Sequence, residues 1–207
     1  MTSPAKPPHT VSAVRVQTFD CRSPLADRQR LEAAHLIYES VVEYYGLFSP
    51  RREVVIEILC KQFTAPFSET SAGVAAFLNE ELASICTSYP SEEMQQRQMA
   101  SLHDLLMHAS LPAETLGDVK RHRSGVEVLQ VGSLYISRVA TSEAYRGRGL
   151  ARVVIQSVEE LARVSGVRAL STHVRRDNAS SMRLFQAAGF CRWSAIPYRH
   201  VVLWKEL

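Results

Sequence analysis

Hydrophobic and polar positions change their period at one point in the second half of the chain. Residues 134–140 are rich in β-branched and aromatic residues, which is typical of a strand. Over 150–161 the apolar positions recur at helical spacing, and Gly166 stands where a helix C-terminus favours glycine. A short turn with two glycines lies between the two runs. The pattern predicts a strand, a glycine-rich turn and a helix, in that order.

Two amphipathic helices are predicted in the first half of the chain. The first spans 26–45 and is expected to end at Gly46, because glycine commonly terminates helices. Ser49 followed by Pro50 is a favourable N-cap and first-turn pair, so the second helix is expected to begin there. The apolar stripe of the first helix consists of Leu31, Ala34, Tyr38, Val41 and Tyr45.

Further strands are predicted on both sides of these elements. A strand at 11–19 precedes the helices, and two apolar runs at 73–78 and 82–89 flank a polar turn and predict a hairpin. Residues 167–174 and 198–207 also have the composition of strands. The chain therefore predicts a mixed α/β protein.

The turn at 145–151 has the sequence Tyr-Arg-Gly-Arg-Gly-Leu-Ala and suits an anion. Its glycines allow the backbone N–H groups to approach a ligand closely, and the following helix adds the positive end of its dipole. A P-loop would need Lys followed by Ser or Thr where Leu150 and Ala151 stand. A dinucleotide-binding fingerprint would need a small residue where Arg152 stands. Both common phosphate loops are therefore disfavoured.

The same turn resembles the pyrophosphate loop of the GNAT superfamily of acetyl-CoA-dependent N-acetyltransferases. That loop has Gln or Arg, two residues, Gly, one residue, and Gly or Ala, which here are Arg146, Gly149 and Ala151. The stretch from Asn178 to Phe190 resembles the next motif of the family, in which Asn begins a helix and Gly-Phe follows it. The resemblance is close over 134–190 and looser to the C-terminus.

This resemblance implies the fold class: a mixed α/β domain of the α+β type with the GNAT fold. Its central, mostly antiparallel sheet would be splayed around an acyl-CoA cleft and flanked by helices. We expect a single N-acetyltransferase domain at 11–207. The preceding residues 1–10 are rich in proline and poor in apolar residues, so they are expected to be a disordered lead-in.

An insertion is expected at about 90–131, where compact members of the family need only a short turn. Residues 91–108 repeat Met and Leu at helical spacing and predict a helix that packs against the sheet. Residues 111–125 predict a loop. Its basic run Lys120–Arg123 could reach the distal phosphate of the cosubstrate, although a solvated surface explains it more simply.

Acetyl-CoA is the cosubstrate that the resemblance implies. Its pantetheine is expected to bind the backbone of Val139, Ala140 and Thr141 as an added strand would. Asn178 and Phe185 are expected to complete the contacts, although an N-cap role alone would also explain Asn178. The residues expected to surround the pyrophosphate are Arg146, Gly147, Arg148, Gly149, Leu150, Ala151 and Arg152.

The reaction implied is direct attack of a neutral amine on the thioester carbonyl, without a covalent enzyme intermediate. Phe185 stands where many members have a Tyr that protonates the leaving thiolate, so we expect slower turnover or a substitute donor such as Tyr198 or water. His173 is the first candidate for the base because its unperturbed pKa lies near neutrality, and a packed or surface histidine is the alternative. Ser137 could instead relay a proton through water.

The acceptor pocket is expected to be formed partly by the first two helices. Four aromatic residues there could line it, and core packing explains them equally well: Tyr38, Tyr44, Tyr45 and Phe48. Glu80 and Glu81, in the predicted hairpin turn, are expected to face solvent.

Composition adds limits rather than a function. The chain has 207 residues, 46% of them hydrophobic, and a net charge of +3, which does not favour nucleic acid as a partner. Four arginines, Arg138, Arg146, Arg148 and Arg152, are expected to crowd the glycine turn. The four cysteines form no Cys-x-x-Cys pair, so neither a metal site nor a disulfide framework is expected. No apolar run is long enough for a membrane span, and we expect a cytoplasmic protein; exposed strand edges are compatible with a homodimer.

Three functions remain open from the sequence. The leading hypothesis is acetyl transfer to a primary amine of a small molecule. The first alternative is a non-catalytic acyl-CoA-binding or regulatory module, which the missing acid at Phe185 motivates. The second is a protein acetyltransferase for lysine or N-terminal amines, which would need an open acceptor groove. Whether 91–131 lies over that groove would discriminate between a small and a large acceptor.

Overall fold

A seven-stranded sheet runs through the part of the chain that the computed structural model describes, residues 13–108, 111, 115–119, 132–192 and 199–207. The order is β1-β2-β3-β4-β5-β7-β6, and every neighbouring pair is antiparallel except β4–β5. This confirms the predicted mixed, mostly antiparallel fold. The strands are β1 (Val14–Phe19), β2 (Gly73–Leu78), β3 (Glu81–Pro90), β4 (Leu134–Thr141), β5 (Ala169–Arg175), β6 (Cys191–Arg192) and β7 (His200–Glu206).

Three expectations from the sequence lie outside the described residues. They are the disordered lead-in at 1–10, the basic run Lys120–Arg123 and the substitute acid Tyr198.

Helices cover both faces of the sheet. They are α1 (Asp27–Ser40), α2 (Val42–Tyr45), α3 (Arg52–Gln62), α4 (Met94–His108), α5 (115–119), α6 (Leu150–Val164) and α7 (Ala179–Ala187). Apolar residues of α1, α2 and α3 form one core with Phe77 and Ile85 of the sheet. Residues of α6 and α7 form a second core with Val74 and Cys86 on the opposite face. The alternation of side chains along β2 and β3 therefore separates the two cores.

The single helix predicted at 26–45 is wrong, because the chain breaks at Val41. This residue has φ −145° and ψ 47°, which lie outside the helical region, and α2 starts after it. The break turns Tyr44 and Tyr45 into the core beside Phe48, where the three rings pack edge-on or tilted. Leu31, predicted on the buried stripe, is exposed.

The helical run ends at Gly46 as predicted, since Gly46 is the C-cap of α2, but the predicted start of the next helix at Ser49 and Pro50 is wrong. Gly46 has φ −62°, so it is not a left-handed terminating glycine; a Cβ there would lie 2.9 Å from the carbonyl oxygen of Val42. Helix α3 begins at Arg52 rather than Pro50. The Ser49 hydroxyl accepts the N–H of Arg51 at 3.1 Å and so stabilises the turn before the helix.

The insertion contains the predicted helix, and it packs on a helix as well as on the sheet. Helix α4 follows a 3₁₀ turn at Ser91–Glu93 and packs on α3 through Leu105 and the partly buried Leu102 and Leu106. Met94, at the start of α4, packs on Tyr89 and Tyr135 of the sheet, as predicted. The predicted loop at 111–125 is helical at 115–119. Amphipathic spacing predicts that a helix buries one face, yet it does not identify the surface that receives this face.

The sheet splits between β4 and β5, as predicted. Their parallel pairing runs from Leu134↔Leu170 to Ile136↔Thr172, whereas the strands themselves continue to Thr141 and Arg175. On its other edge β4 pairs with β3, and the register shifts so that Ser137 is the extra residue of a β-bulge. The split therefore leaves one edge of β4 open, directly after the bulge.

Candidate active site

A cleft of about 630 Å³ opens where β4 and β5 separate. One wall comes from the junction of α1 and α2, including Tyr44, and the other comes from β5 and the start of α7. Val139 of β4 and His173 of β5 both line it. The open edge of β4 is thus accessible to an extended ligand.

The glycine turn after β4 requires glycine because of its backbone conformation. Gly147 has φ 76° and Gly149 has φ 79°, both in the left-handed region, while a Cβ at either position would meet no atom within 4 Å. Gly149 is the N-cap of α6, and its carbonyl accepts the N–H groups of Arg152 and Val153. The N–H groups of Leu150 and Ala151 precede these bonds and belong to the free end of the helix, where an anion can bind.

Three of the four arginines expected at this turn lie there, and one does not. Arg146, Arg148 and Arg152 are exposed, and the guanidinium of Arg148 lies over the Tyr145 ring at 5.4 Å. Arg138 instead points into the cleft, where its Nε donates to the Tyr45 hydroxyl at 3.4 Å. The expectation for Arg138 was wrong because bulged β4 directs this side chain toward the α1–α2 face.

The residues expected along the pantetheine occupy different environments. Val139 lines the cleft, whereas Ala140 is buried in the core below α1. The Thr141 hydroxyl lies 2.9 Å from the Ser84 hydroxyl. The backbone carbonyl of Thr141 accepts a hydrogen bond from Nε of Arg146 at 3.4 Å. This last bond links the end of β4 to the glycine turn.

Asn178 and Phe185 both line the cleft from α7. The Asn178 side chain accepts the N–H of Ser181 at 3.0 Å, which confirms its N-cap role. The Phe185 ring packs edge-on against Phe190, with the ring centroids 5.1 Å apart. Phe185 therefore offers an apolar surface to the cleft and no proton.

A buried carboxylate in the cleft was missed by the sequence reasoning. Glu69, from the connection between α3 and β2, is only 7% exposed and lines the cleft beside β4. Its Oε1 accepts from the Ser137 hydroxyl at 3.1 Å and from the Tyr89 hydroxyl at 3.4 Å, and its Oε2 lies 3.5 Å from Nη2 of Arg138. The available signal was an acidic residue in the short polar run directly before an entirely apolar strand.

The groups around Glu69 keep its carboxylate supplied with hydrogen-bond donors. Burial, together with the nearby charges of Glu69 and Tyr135, raises the pKa of Tyr89 well above its usual value, so its hydroxyl stays protonated. Burial alone would lower the pKa of Arg138, but contacts with Tyr45 and Glu69 outweigh it and raise that pKa well above its usual range. Arg138 therefore stays cationic beside the carboxylate.

The other predicted catalytic residues lie near this cluster. Ser137, predicted as a relay, occupies the bulge and contacts Glu69 directly. His173 lies in the cleft with its Nδ1 3.3 Å from the Tyr135 hydroxyl, and the Tyr135 ring packs against Tyr89 at 5.3 Å. His173 thus remains a second candidate for the base, separated from Glu69 by two aromatic rings.

The acceptor end of the cleft carries mostly negative side chains. Arg175 of β5 bridges Glu43 of α2 at 2.7 Å and Asp177 at 2.6 Å. Four carboxylates line the cleft, from Glu39, Glu43, Glu69 and Asp177, against the guanidinium groups of Arg138 and Arg175, and Arg52 pairs with Glu39 from outside the lining, which leaves an excess of one negative charge. This excess favours a cationic ligand.

The outcome for the four aromatic residues expected at the acceptor pocket is mixed. Tyr44 lines the cleft, while Tyr38, Tyr45 and Phe48 are buried in the core, with Tyr45 reaching Arg138. Glu80 and Glu81 lie outside the lining. They contact Arg15 and Tyr145 near the surface, as expected.

The described part of the chain shows neither a cluster of metal ligands nor a helix that could span a membrane. Among those residues no group of three or more His, Cys, Asp or Glu side chains is arranged to hold a metal ion. None of the described helices has the length and apolarity needed to cross a membrane.

Comparisons with known proteins agree with this geometry. Residues 37–190 match the model of the acetyltransferase (GNAT) family. GCN5-related N-acetyltransferase 7 of Arabidopsis thaliana, a chloroplastic protein, is 25% identical over 186 residues; these cover 90% of this chain but only 64% of the plant protein.

Solved structures show the same fold at lower sequence identity. An N-acetyltransferase from Staphylococcus aureus Mu50 aligns with a TM-score of 0.67 at 19% identity, covering 93% of this chain and all of the other (100%). PaiA N-acetyltransferase from Thermoplasma acidophilum, solved in complex with coenzyme A, aligns with a TM-score of 0.55 at 10% identity, covering 94% and 99% of the two chains.

Proposed function

The chain belongs to the acetyltransferase (GNAT) family, and we propose that it transfers the acetyl group of acetyl-CoA to a primary amine of a small molecule. The observation that carries this proposal is the cleft between β4 and β5, with a donor-rich helix end at its rim and the buried carboxylate of Glu69 inside it. Binding of the coenzyme alone would need only the cleft and the helix end. Chemistry on an amine also needs a group, such as the Glu69 carboxylate, that can accept a proton.

The glycine turn and the open edge of β4 would hold acetyl-CoA. Free N–H groups at the start of α6 suit the pyrophosphate, and the unpaired edge of β4 suits the amide groups of pantetheine. Val139 and Phe185 provide apolar surface between these two places. Acetyl-CoA supplies the activated thioester carbonyl, and binding it requires no metal.

Glu69 would accept the proton that the attacking amine must lose. An alkylamine has a pKa near 10.4, so at pH 7 its neutral form is scarcer by about 3 units, or roughly 4 to 5 kcal/mol. The new C–N bond forms as the C–S bond breaks, the amine proton passes to Glu69 directly or through Ser137, and the leaving thiolate takes a proton from water. Phe185 cannot provide that second proton, which is the easier of the two to obtain.

The acceptor is proposed to be a small cationic amine. The carboxylates at the cleft outnumber the guanidinium groups that pair with them by one, which gives the cleft a weakly negative field. Gln98 of α4 also lines the cleft, so the inserted segment narrows the acceptor side. Both features favour a small amine over a lysine on a folded protein, which would need an open groove.

The test is thiol release from acetyl-CoA against a panel of amines, with acetyl-CoA binding measured in parallel by calorimetry. The panel contains polyamines, arylalkylamines, amino acids, aminoglycosides and a lysine-containing peptide. We expect release that depends on one class of small amine. Release with the peptide alone would favour a protein acetyltransferase.

Two other outcomes would overturn the proposal in different ways. Binding of acetyl-CoA without release for any amine would favour the non-catalytic module, which the missing acid at Phe185 supports. No binding of acetyl-CoA would exclude both functions.

A further inference from the structure

The segment that carries Glu69 is the loop at residues 63–72, called here the Glu69 loop, and its polar part at 68–71 is buried. Loops usually stay at the surface because buried backbone groups need hydrogen-bond partners. In this loop Ser68, Glu69, Thr70 and Ser71 are all nearly inaccessible to solvent. Some neighbouring element must therefore supply the partners that water supplies elsewhere.

Helix α4 supplies several of these partners with two side chains. Nη1 of Arg97 donates to the Ser68 carbonyl at 2.8 Å and to the Ser71 hydroxyl at 2.9 Å. The Ser101 hydroxyl, one turn further along the helix, accepts the N–H of Glu69 itself at 2.9 Å. The peptide unit between Ser68 and Glu69 is thus bonded to one helix through both its carbonyl and its N–H, and the Ser71 side chain is bonded to the same helix.

Arg97 and Ser101 are themselves held in place. Nε of Arg97 bonds to Oε2 of Glu93 at 2.6 Å, and the Arg97 guanidinium lies 5.1 Å from the centre of the Tyr89 ring. The Ser101 carbonyl accepts the side-chain amide of Gln62 at 3.0 Å, which ties α4 to the end of α3. Arg97 therefore contacts the same tyrosine whose hydroxyl donates to Glu69.

The Glu69 loop also contains an unfavourable backbone conformation. Phe67 has φ 63°, in the left-handed region that a bulky side chain rarely adopts, and its ring is 47% exposed. Such a residue keeps this conformation only where the surrounding contacts fix it. Arg97 bonds to Ser68, which directly follows Phe67 in the chain, and to Ser71.

We propose that α4 positions the Glu69 carboxylate in the cleft, with Arg97 and Ser101 as the positioning residues. The inserted segment then has a catalytic purpose: it fixes a loop that would otherwise expose its polar backbone and withdraw the carboxylate. The catalytic part rests on the proposed function, because it takes Glu69 as the proton acceptor. The structural part stands independently of turnover.

The experiment combines backbone amide hydrogen exchange with steady-state kinetics on the full chain. The variants are Arg97→Ala and Ser101→Ala, and the control is Gln96→Ala, an exposed neighbour on the same helix. We expect both variants to exchange faster over residues 66–72 and to leave exchange in α6 unchanged. We also expect kcat to fall roughly 10- to 100-fold, with the KM for acetyl-CoA within about twofold of wild type. Gln96→Ala should change neither the exchange rates over 66–72 nor the kinetic constants.

Each outcome decides one part of the proposal. Unchanged exchange over 66–72 in Ser101→Ala would overturn it whatever the activity. Faster exchange with an unchanged kcat would overturn the positioning role. If wild type shows no turnover with any amine, the proposed function fails while the exchange data still decide whether α4 holds the loop. If Arg97→Ala no longer binds acetyl-CoA, we take this variant to have lost its fold. The Ser101→Ala variant then decides whether α4 positions Glu69, because it removes only the hydroxyl that accepts the Glu69 N–H.

Discussion

The two sides of the cleft are built in different ways. The proposed cosubstrate side is mainly one continuous segment, the end of β4, the glycine turn and the start of α6, to which Phe185 of α7 adds an apolar surface, and it presents mainly backbone groups. The proposed catalytic side brings together Glu69, Tyr89 and Ser137, which are far apart in the chain, and it presents side chains. A backbone site can be identified from a short motif, whereas a side-chain site depends on which distant elements pack together.

Glu69→Gln is expected to have the largest effect, because it tests the catalytic side directly. The substitution keeps the size of the side chain and removes the proton acceptor. We expect kcat to fall by about 10²- to 10⁴-fold, with the KM for acetyl-CoA nearly unchanged. The measurement is thiol release at saturating amine. Glu80→Gln, in the exposed hairpin turn, is the control and should behave as wild type. A severe loss in His173→Gln with little loss in Glu69→Gln would transfer the role of base to His173.

Gly149→Ala tests the cosubstrate side, with Gly166→Ala as its matched control. The two glycines lie near opposite ends of α6, have φ 79° and 72°, and have open space where a Cβ would be placed. A left-handed alanine costs roughly 1–2 kcal/mol at either site. Only at Gly149 should relief of this strain move the anion-binding N–H groups and raise the KM for acetyl-CoA, by roughly 5- to 30-fold, with kcat retained. Equal KM values for the two variants would contradict the assignment of the turn.

Phe185→Tyr is expected to have a smaller effect and tests whether the missing acid matters. A thiolate with a pKa near 8.5 lies only about 1.5 units from neutral pH, so water can protonate it, and we expect kcat to rise by less than about tenfold. Phe190→Tyr adds the same hydroxyl to the other ring of the pair, outside the cleft lining, and controls for altered packing. A much larger rise in kcat would mean that protonation of the thiolate limits turnover.

Glu159→Gln should change stability and leave activity unaltered, because Glu159 lies on α6 away from the cleft. Burial alone would raise the pKa of Glu159, but bonds to Lys205 and Arg163 outweigh it and lower that pKa below its usual 4.5. The resulting stabilisation exists above the unfolded-state pKa and is lost as the pH falls through the folded-state pKa. We expect the variant to lose about 1–2 kcal/mol of unfolding free energy at pH 7 and progressively less as the pH is lowered below 4.5, by urea denaturation. An equal loss across this pH range would contradict an ionic origin.

Much of the fold could be predicted because local patterns specify it. The strand, turn and helix around Gly147 and Gly149 follow from residue types with strong backbone preferences, and so does the N-cap at Asn178. The errors lie where packing overrides such preferences. Val41 leaves the helical region although its neighbours favour helix, because two tyrosines after it enter the core.

The sequence alone determined the glycine turn and the start of α6, since positive φ angles and a free helix end need only glycines at fixed spacing. It also provided Glu69, Arg97 and Ser101 without any sign that they belong together. Only the tertiary structure decided that α4 packs on α3, buries the Glu69 loop and brings a carboxylate to the bulge at Ser137. The physical reason is that burial and hydrogen bonding of a side chain are properties of its neighbours in space, which the order of residues along the chain does not state.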